Sequence, residues 1–304
     1  MLERHSPSRG PDSPDVWGLH DETTGSVAYV FACPATRRAA IVDAVLDFDP
    51  VAARLSTGSL DALLAIVARE RLAVEIVLDT HPHADHVMAA ATLAGRLGAP
   101  VGIGERVRDI AALWERLYNL PGVFDPARDF DRLFADGDRF TVGEVAVDVI
   151  LSPGHTLGSV TYVAGDAAFV HDTFMQPDSG TARCDFPGGS SADLWQSLQR
   201  LLALPDATRL LVGHDYRPGG RPAAWEASVA EQRAHNIHLR GATEASFRAL
   251  RDERDRTLPL PERMLAALQM NLRAGRVPPP EADGHSYLKI PLDRFPAAPD
   301  RPED

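Results

Sequence analysis

Residues 73–86 read AVEIVLDTHPHADH. From Ala73 to Asp79 the run is nearly continuous in apolar residues and closes on a carboxylate, the pattern of a strand buried on both faces. The loop that follows crowds His81, His83, Asp85 and His86 into six residues. Core packing gives no reason for so many ionisable groups at the mouth of one strand. Residues 87–98, VMAAATLAGRLG, then have helical composition and stop at a glycine. The unit is strand, histidine loop, helix, and it predicts an α/β domain with polar groups gathered where a strand ends.

Outward from this unit the same alternation continues. VAYVFAC (27–33) and AAIVDAV (39–45) read as short strands, with a helix over about 59–71. Downstream, RFTVGEVAVDVILSP, SVTYVAG and AAFVHDT read as successive strands, followed by a helix near 194–204 and by TRLLVGHDY, a strand ending in a histidine. Helical patterns are expected from Trp225 through His238, over 246–254 and over 262–273, after which Pro278, Pro279 and Pro280 break the pattern and SYLKIPL closes the ordered part. The expected organisation is a flexible tail over 1–16, a main domain over 17–240 and a C-terminal extension over 241–304 packed on it. Mixed strands and helices in this order indicate two sheets layered between helices.

The chain has 304 residues, 44% hydrophobic and 24% charged, which suits one large globular domain with an appendage. A formal charge of −12 argues against a phosphate-neutralising surface, so no nucleic-acid partner is expected. No run approaches the roughly 18 apolar residues of a membrane span, and the polar start lacks a signal core. A cytoplasmic location is therefore expected. With Cys33 and Cys184 as the only cysteines, a disulfide framework is excluded.

Three further groups stand at predicted strand ends: His155 in SPGHT, Asp172 in HDT and His214 in GHDY. Imidazole and carboxylate suit iron, zinc or manganese, and two His with one carboxylate on one face leave coordination positions open. The series THPHADH, SPGHT, Asp172 and GHDY resembles the signature of the metallo-β-lactamase superfamily. Within it, GTARCDFPGGS, GHDY, WEASVAEQRAHNIH and LKIP resemble the bacterial persulfide dioxygenases and their mitochondrial ETHE1-like relatives, over about Thr24 to Leu292.

That resemblance implies a metallo-β-lactamase αββα sandwich with a C-terminal helical extension. It implies one Fe(II) per chain on His81, His155 and Asp172, with His83, Asp85, His86 and His214 orienting these ligands. The implied reaction converts glutathione persulfide and O₂ to sulfite and thiol in sulfide detoxification. Arg183, Tyr216 and Lys289 are the implied substrate contacts, and a homodimer is the assembly expected. The alternative is a glyoxalase-II-like thioester hydrolase, in which all seven His and Asp hold two metal ions. A non-catalytic persulfide or metal sensor is a third reading.

His171 stands where the family usually has Gly, and strand alternation would turn its side chain away from a metal bound by Asp172. Cys184 is expected to be a buried, inert thiol, Asp43 a structural loop residue, and His235 and His238 capping or packing groups.

Overall fold

The computed structural model describes residues 1–295. Its first strands are β1 (Leu2–Ser6), β2 (Asp15–His20), β3 (Val27–Ala32), β4 (Arg38–Val42), β5 (Val45–Asp49) and β6 (Arg54–Ser56). Then come α1 (Gly58–Arg69), β7 (Ala73–Leu78), β8 (Val87–Met88), α2 (Ala90–Leu97), β9 (Val101–Gly104), α3 (Val107–Tyr118), α4 (Pro126–Asp129) and β10 (Arg132–Phe134). The second half contains β11 (Arg139–Val142), β12 (Val145–Leu151), β13 (Val160–Ala164), β14 (Ala167–His171), α5 (Ser191–Leu202), β15 (Arg209–Val212) and β16 (Glu226–Ser228). Among the described residues the last elements are α6 (Val229–His235), α7 (Glu244–Asp255) and α8 (Met264–Asn271).

A seven-stranded sheet, β1-β2-β3-β4-β7-β9-β10, faces a six-stranded sheet, β11-β12-β13-β14-β15-β16. Alternation along β3 shows how the layers form. Val27, Tyr29 and Phe31 point into the core between the sheets, beside Val147, Tyr162 and Phe169, whereas Ala28 and Val30 point to the helix layer with Leu63 of α1, Leu93 of α2 and Trp114 of α3. Both faces of β3 are therefore covered, which is why VAYVFAC carries no charged residue. On the far side, Leu194, Leu198 and Leu201 of α5 cover the second sheet. The architecture is the αββα sandwich that the motif series implies.

The sheet directions explain why distant motifs meet. In the first sheet β4 and β7 run parallel, so Asp43 and the histidine loop leave the same edge. In the second, β12 and β14 each run antiparallel to β13, and β15 runs parallel to β14. The segments bearing His155, Asp172 and His214 thus emerge together. Cross-sheet bonds tie the two edges: Val160 N donates to Thr80 O at 3.0 Å and Val27 N to Gly213 O at 2.8 Å.

Two expectations need correction, and one helix lies outside them. Residues 1–16 are no loose tail: β1 pairs in register with β2 from Leu2↔His20 to Ser6↔Val16. Its side chains LERHS are almost all exposed, so the strand is held by backbone hydrogen bonds that leave no apolar pattern to read. Residues 226–228 are β16, antiparallel to β15, and the helix begins only at Val229, where Ser228 and Glu231 form a reciprocal capping box. Helix α3, outside the expected elements, presents Ile110, Trp114 and Tyr118 to the core.

Candidate metal centre

Two imidazoles of the site, His81 and His155, are each oriented by a specific partner. Asp43, just past β4, accepts from Thr80 N at 2.7 Å and Thr80 Oγ1 at 2.8 Å, and Thr80 Oγ1 lies 3.0 Å from His81 Nδ1. His155 Nδ1 is fixed against Arg183 O at 2.8 Å. With Nδ1 committed in both rings, Nε2 is the free donor atom. These atoms lie 3.8 and 3.6 Å from Asp172 Oδ2. His81, His155 and Asp172 thus place one ligand atom each within 4.8 Å of the others. Buried His81 Nε2 has no hydrogen-bond partner among the described residues.

This donor set fits a metal ion. Metal bonds of about 2.0–2.2 Å put donors on one ion about 3–3.5 Å apart, so only a small contraction is needed. Burial, reinforced by His83 and His155, holds the His81 imidazole well below its ordinary range, and burial lowers His155 as well. Both rings are accordingly neutral and carry a lone pair. Burial raises the Asp172 carboxyl, but His214 and His155 outweigh it and keep Asp172 ionised, well below the usual carboxylate range.

The remaining motif residues form a second group with a different character. His214 Nδ1 meets Asp172 Oδ1 at 2.5 Å, and its Nε2 meets Asp85 Oδ2 at 2.8 Å. Asp85 Oδ2 also takes His86 Nδ1 at 2.9 Å and Ser26 Oγ at 3.0 Å. Burial alone would lower His214, yet the two flanking carboxylates lift it well above its ordinary range. Gly213 is required here because a Cβ would sit 2.8 Å from Asp172 Oδ1. His83 Nε2 lies 3.2 Å from Asp43 Oδ1, with its ring 4.1 Å from that of His81.

His171 ends β14 at a register shift, with φ +41°. A positive φ favours glycine, which accounts for the Gly of the resembled family at this position. The bulge upsets simple alternation. The His171 ring lies 5.1 Å from that of His81, while Nε2 is engaged by Ser152 Oγ at 3.1 Å and Thr173 Oγ1 at 2.9 Å. Burial pushes it down to about 3.

A cavity of about 570 Å³ opens on His155, Asp172 and Asp85, with Tyr216, Met175 and Phe186 in its walls. The exposed Tyr216 ring stacks on His214 at 5.6 Å. Arg183 borders the cavity, but its guanidinium is already occupied. It forms a bidentate pair with Asp185 at 2.6 and 2.7 Å and donates to the carbonyls of Pro259 and Leu258. The structure thus places the Arg183 fork against Asp185 and two backbone carbonyls at the cavity wall. Lys289 lies outside the residues lining this cavity, and its Nζ donates to Asn119 O at 2.8 Å, at the end of α3.

Arg254 of α7, which the sequence did not single out, lines the cavity with its exposed side chain free of any ion pair or hydrogen bond among the described residues. His238 packs there as a neutral acceptor for Thr181 N at 3.0 Å, pushed down to about 4 by burial and then by Arg251.

Facing sheets between helices, with two imidazoles and a carboxylate converging where strands end, define a metal-binding enzyme scaffold. The family model described as the metallo-beta-lactamase superfamily matches residues 22–214, a span containing His81, His83, Asp85, His86, His155, Asp172 and His214, and the chain belongs to that superfamily.

Among curated relatives, a "Beta-lactamase hydrolase-like protein" of Xylella fastidiosa is 53% identical over 286 residues, covering 94% of this chain and 66% of the relative. The chain thus spans about two thirds of that relative's length. "Glyoxylase B2" of Dictyostelium discoideum is 42% identical, covering 85% of this chain and 90% of the relative. Among solved structures, ETHE1 from Myxococcus xanthus superposes with a TM-score of 0.69 at 28% identity, covering 91% of this chain and all of that one. This likeness supports the ETHE1-like resemblance. No helix among the described residues is long and apolar enough to cross a membrane.

Proposed function

We propose that the chain is a persulfide dioxygenase that uses one Fe(II), held by His81, His155 and Asp172, to oxidise glutathione persulfide or a similar small persulfide. The observation that carries this reading is the contrast in the site: three donor atoms converge beside the cavity, while Asp85, His214 and Ser26 satisfy one another. Likeness to the Myxococcus xanthus ETHE1 fold supports it. The balanced reaction is RSSH + O₂ + H₂O → RSH + H₂SO₃, with the product ionising to sulfite.

An iron ion held by His81, His155 and Asp172 would supply the redox chemistry with O₂ that zinc, lacking redox states, could not. The protein's contribution is placement. Thr80 and the Arg183 carbonyl fix the two imidazoles, and His214 anchors Oδ1 of Asp172 so that Oδ2 faces the triad. Met175 and Phe186 give the persulfide sulfur an apolar approach. Arg254 stands at the same cavity as the cation for a carboxylate of the thiol carrier.

One observation favours the glyoxalase-II-like reading. Buried His86 Nε2 has no partner among the described residues, and His83, Asp85 and His86 form a second cluster of donor atoms within 4.8 Å. Two ions there would generate a hydroxide against a thioester. O₂ uptake by anaerobically iron-loaded protein on adding glutathione persulfide, with metal analysis of the same sample, separates the readings. Rapid uptake with about one iron per chain is expected. No uptake, two metals per chain and hydrolysis of a glutathione thioester would overturn the dioxygenase.

A further inference from the structure

Residues 264–271, MLAALQMN, form α8, a largely apolar helix that ends in Asn271. An amide at the end of such a helix has no solvent to satisfy it, and Asn271 is wholly buried. Its partners lie 183 to 188 positions away in sequence, two on the histidine loop and one on β8 just after it. Nδ2 donates to His83 O at 2.7 Å and His86 O at 2.8 Å, and Oδ1 accepts from Met88 N at 2.8 Å. Both amide hydrogens and the carbonyl are therefore used. Among the described residues no other donor reaches those two loop carbonyls.

The helix that holds this amide is itself anchored. Met264, Ala267 and Leu268 sit in the core beneath the first sheet, and Tyr118 Oη of α3 donates to Leu265 O at 2.9 Å. Beyond α8 the chain stays against the segment that follows the loop: Ala91 N, in the first turn of α2, donates to Ala274 O at 2.9 Å. Gly275 there has φ +84°, and a Cβ on it would come within 1.8 Å of Met88 O.

We propose that Asn271 is a positioning residue for the metal centre, through which helix α8 sets the curvature of the histidine loop and hence the mutual placement of its donor groups. The inference rests on the metal site and not on the choice of persulfide as substrate. The chemistry at this position is narrow. Aspartate lacks the two donors and sets a negative charge against two carbonyls, leucine matches the size but leaves three buried backbone groups unpaired, and glutamine is one methylene too long for these distances.

The test compares Asn271→Asp and the milder Asn271→Ser with Tyr118→Phe, which weakens the anchoring of α8 without touching the loop. Affinity for Co(II) and the visible spectrum of the Co(II) form are measured beside thermal unfolding, so that neither readout depends on O₂ or persulfide. Asn271→Ser, and Asn271→Asp where it folds, are expected to bind Co(II) about 10–100-fold more weakly with an altered spectrum. Tyr118→Phe should lower the melting temperature while keeping wild-type affinity and spectrum. Wild-type affinity and spectrum in Asn271→Ser, with only a loss of stability like that of Tyr118→Phe, would overturn the proposal. Since cobalt binding is read alone, failure of the dioxygenase reading leaves this outcome interpretable.

Discussion

Two groups of histidine and aspartate share one floor between the sheets, and they differ in what their polar atoms do. In the triad of His81, His155 and Asp172, outer atoms are bonded to Thr80, Arg183 and His214, leaving Nε2, Nε2 and Oδ2 turned toward one another. In the neighbouring group, Asp85 Oδ2 alone is approached by His214, His86 and Ser26. Both groups are built from the same residue types at strand ends. The difference teaches that composition marks a metal-competent edge, while the direction of each hydrogen bond decides which donors are left for an ion.

The sharpest way to break this comparison is to remove a triad donor. His81→Ala and Asp172→Asn are each expected to abolish stoichiometric metal binding. Loss of a partner behind a ligand costs about 10–100-fold, so loss of a ligand should cost activity about 10³-fold or more. Metal analysis after desalting and a turnover assay check this. Retention of one tightly held ion in Asp172→Asn would move the centre to the second group.

Next in size is His214→Ala. It leaves Asp172 and Asp85 facing each other without the imidazolium between them, and breaking such a pairing costs about 3–5 kcal/mol. A one-ion site keeps about one metal per chain with roughly 10–100-fold weaker affinity. A two-ion site instead falls from two metals to one. Metal counting on the folded variant, confirmed by its unfolding curve, reads the difference directly.

Much of this site was legible because its ligands sit where strands end, and strand ends show in sequence as apolar runs closing on polar residues. His81, His155, Asp172 and His214 could be placed together on that ground alone. What escaped depends on the third dimension. Strand β1 pairs through its backbone and bears polar side chains. Arg183 has Asp185 two positions away as a visible partner, but the carbonyls of Leu258 and Pro259 that complete its engagement arrive through the packing of the C-terminal segment. Asn271 meets the histidine loop only after two sheets and a helical layer have formed. Helix α3 is the exception, since Ile110, Trp114 and Tyr118 recur at helical spacing and carried a signal.

A smaller effect tests the free cation that the described residues place at the cavity. Arg254→Ala removes an exposed cation, so about 1 kcal/mol is at stake. The expected result is a roughly fivefold rise in KM for glutathione persulfide with kcat nearly unchanged, the mark of binding lost equally from ground and transition states. A persulfide lacking carboxylates should show no difference between Arg254→Ala and the parent. A loss confined to kcat would place Arg254 nearer the reacting sulfur.

The smallest expected effect concerns Cys184, the one thiol adjacent to a cavity residue. Ala182, Arg183 and Phe186 form the wall, while Cys184 turns inward and its Sγ donates to Asp255 Oδ2 at 3.4 Å. Burial, and then the Asp255 carboxylate, push the thiol up to about 12. At pH 7.5 roughly one molecule in 10⁴ to 10⁵ then carries a thiolate, and the thiolate is the form that attacks a persulfide. In a Cys33→Ser background, alkylation at Cys184 should be slow at neutral pH and rise about tenfold per unit of pH as the thiolate fraction grows. Cys184→Ser keeps a hydroxyl for Asp255 and should leave kcat/KM within about twofold. A hundredfold loss would instead mean that sulfur passes through a protein thiol before reaching the triad, and the open donors would then be only half of the catalytic apparatus.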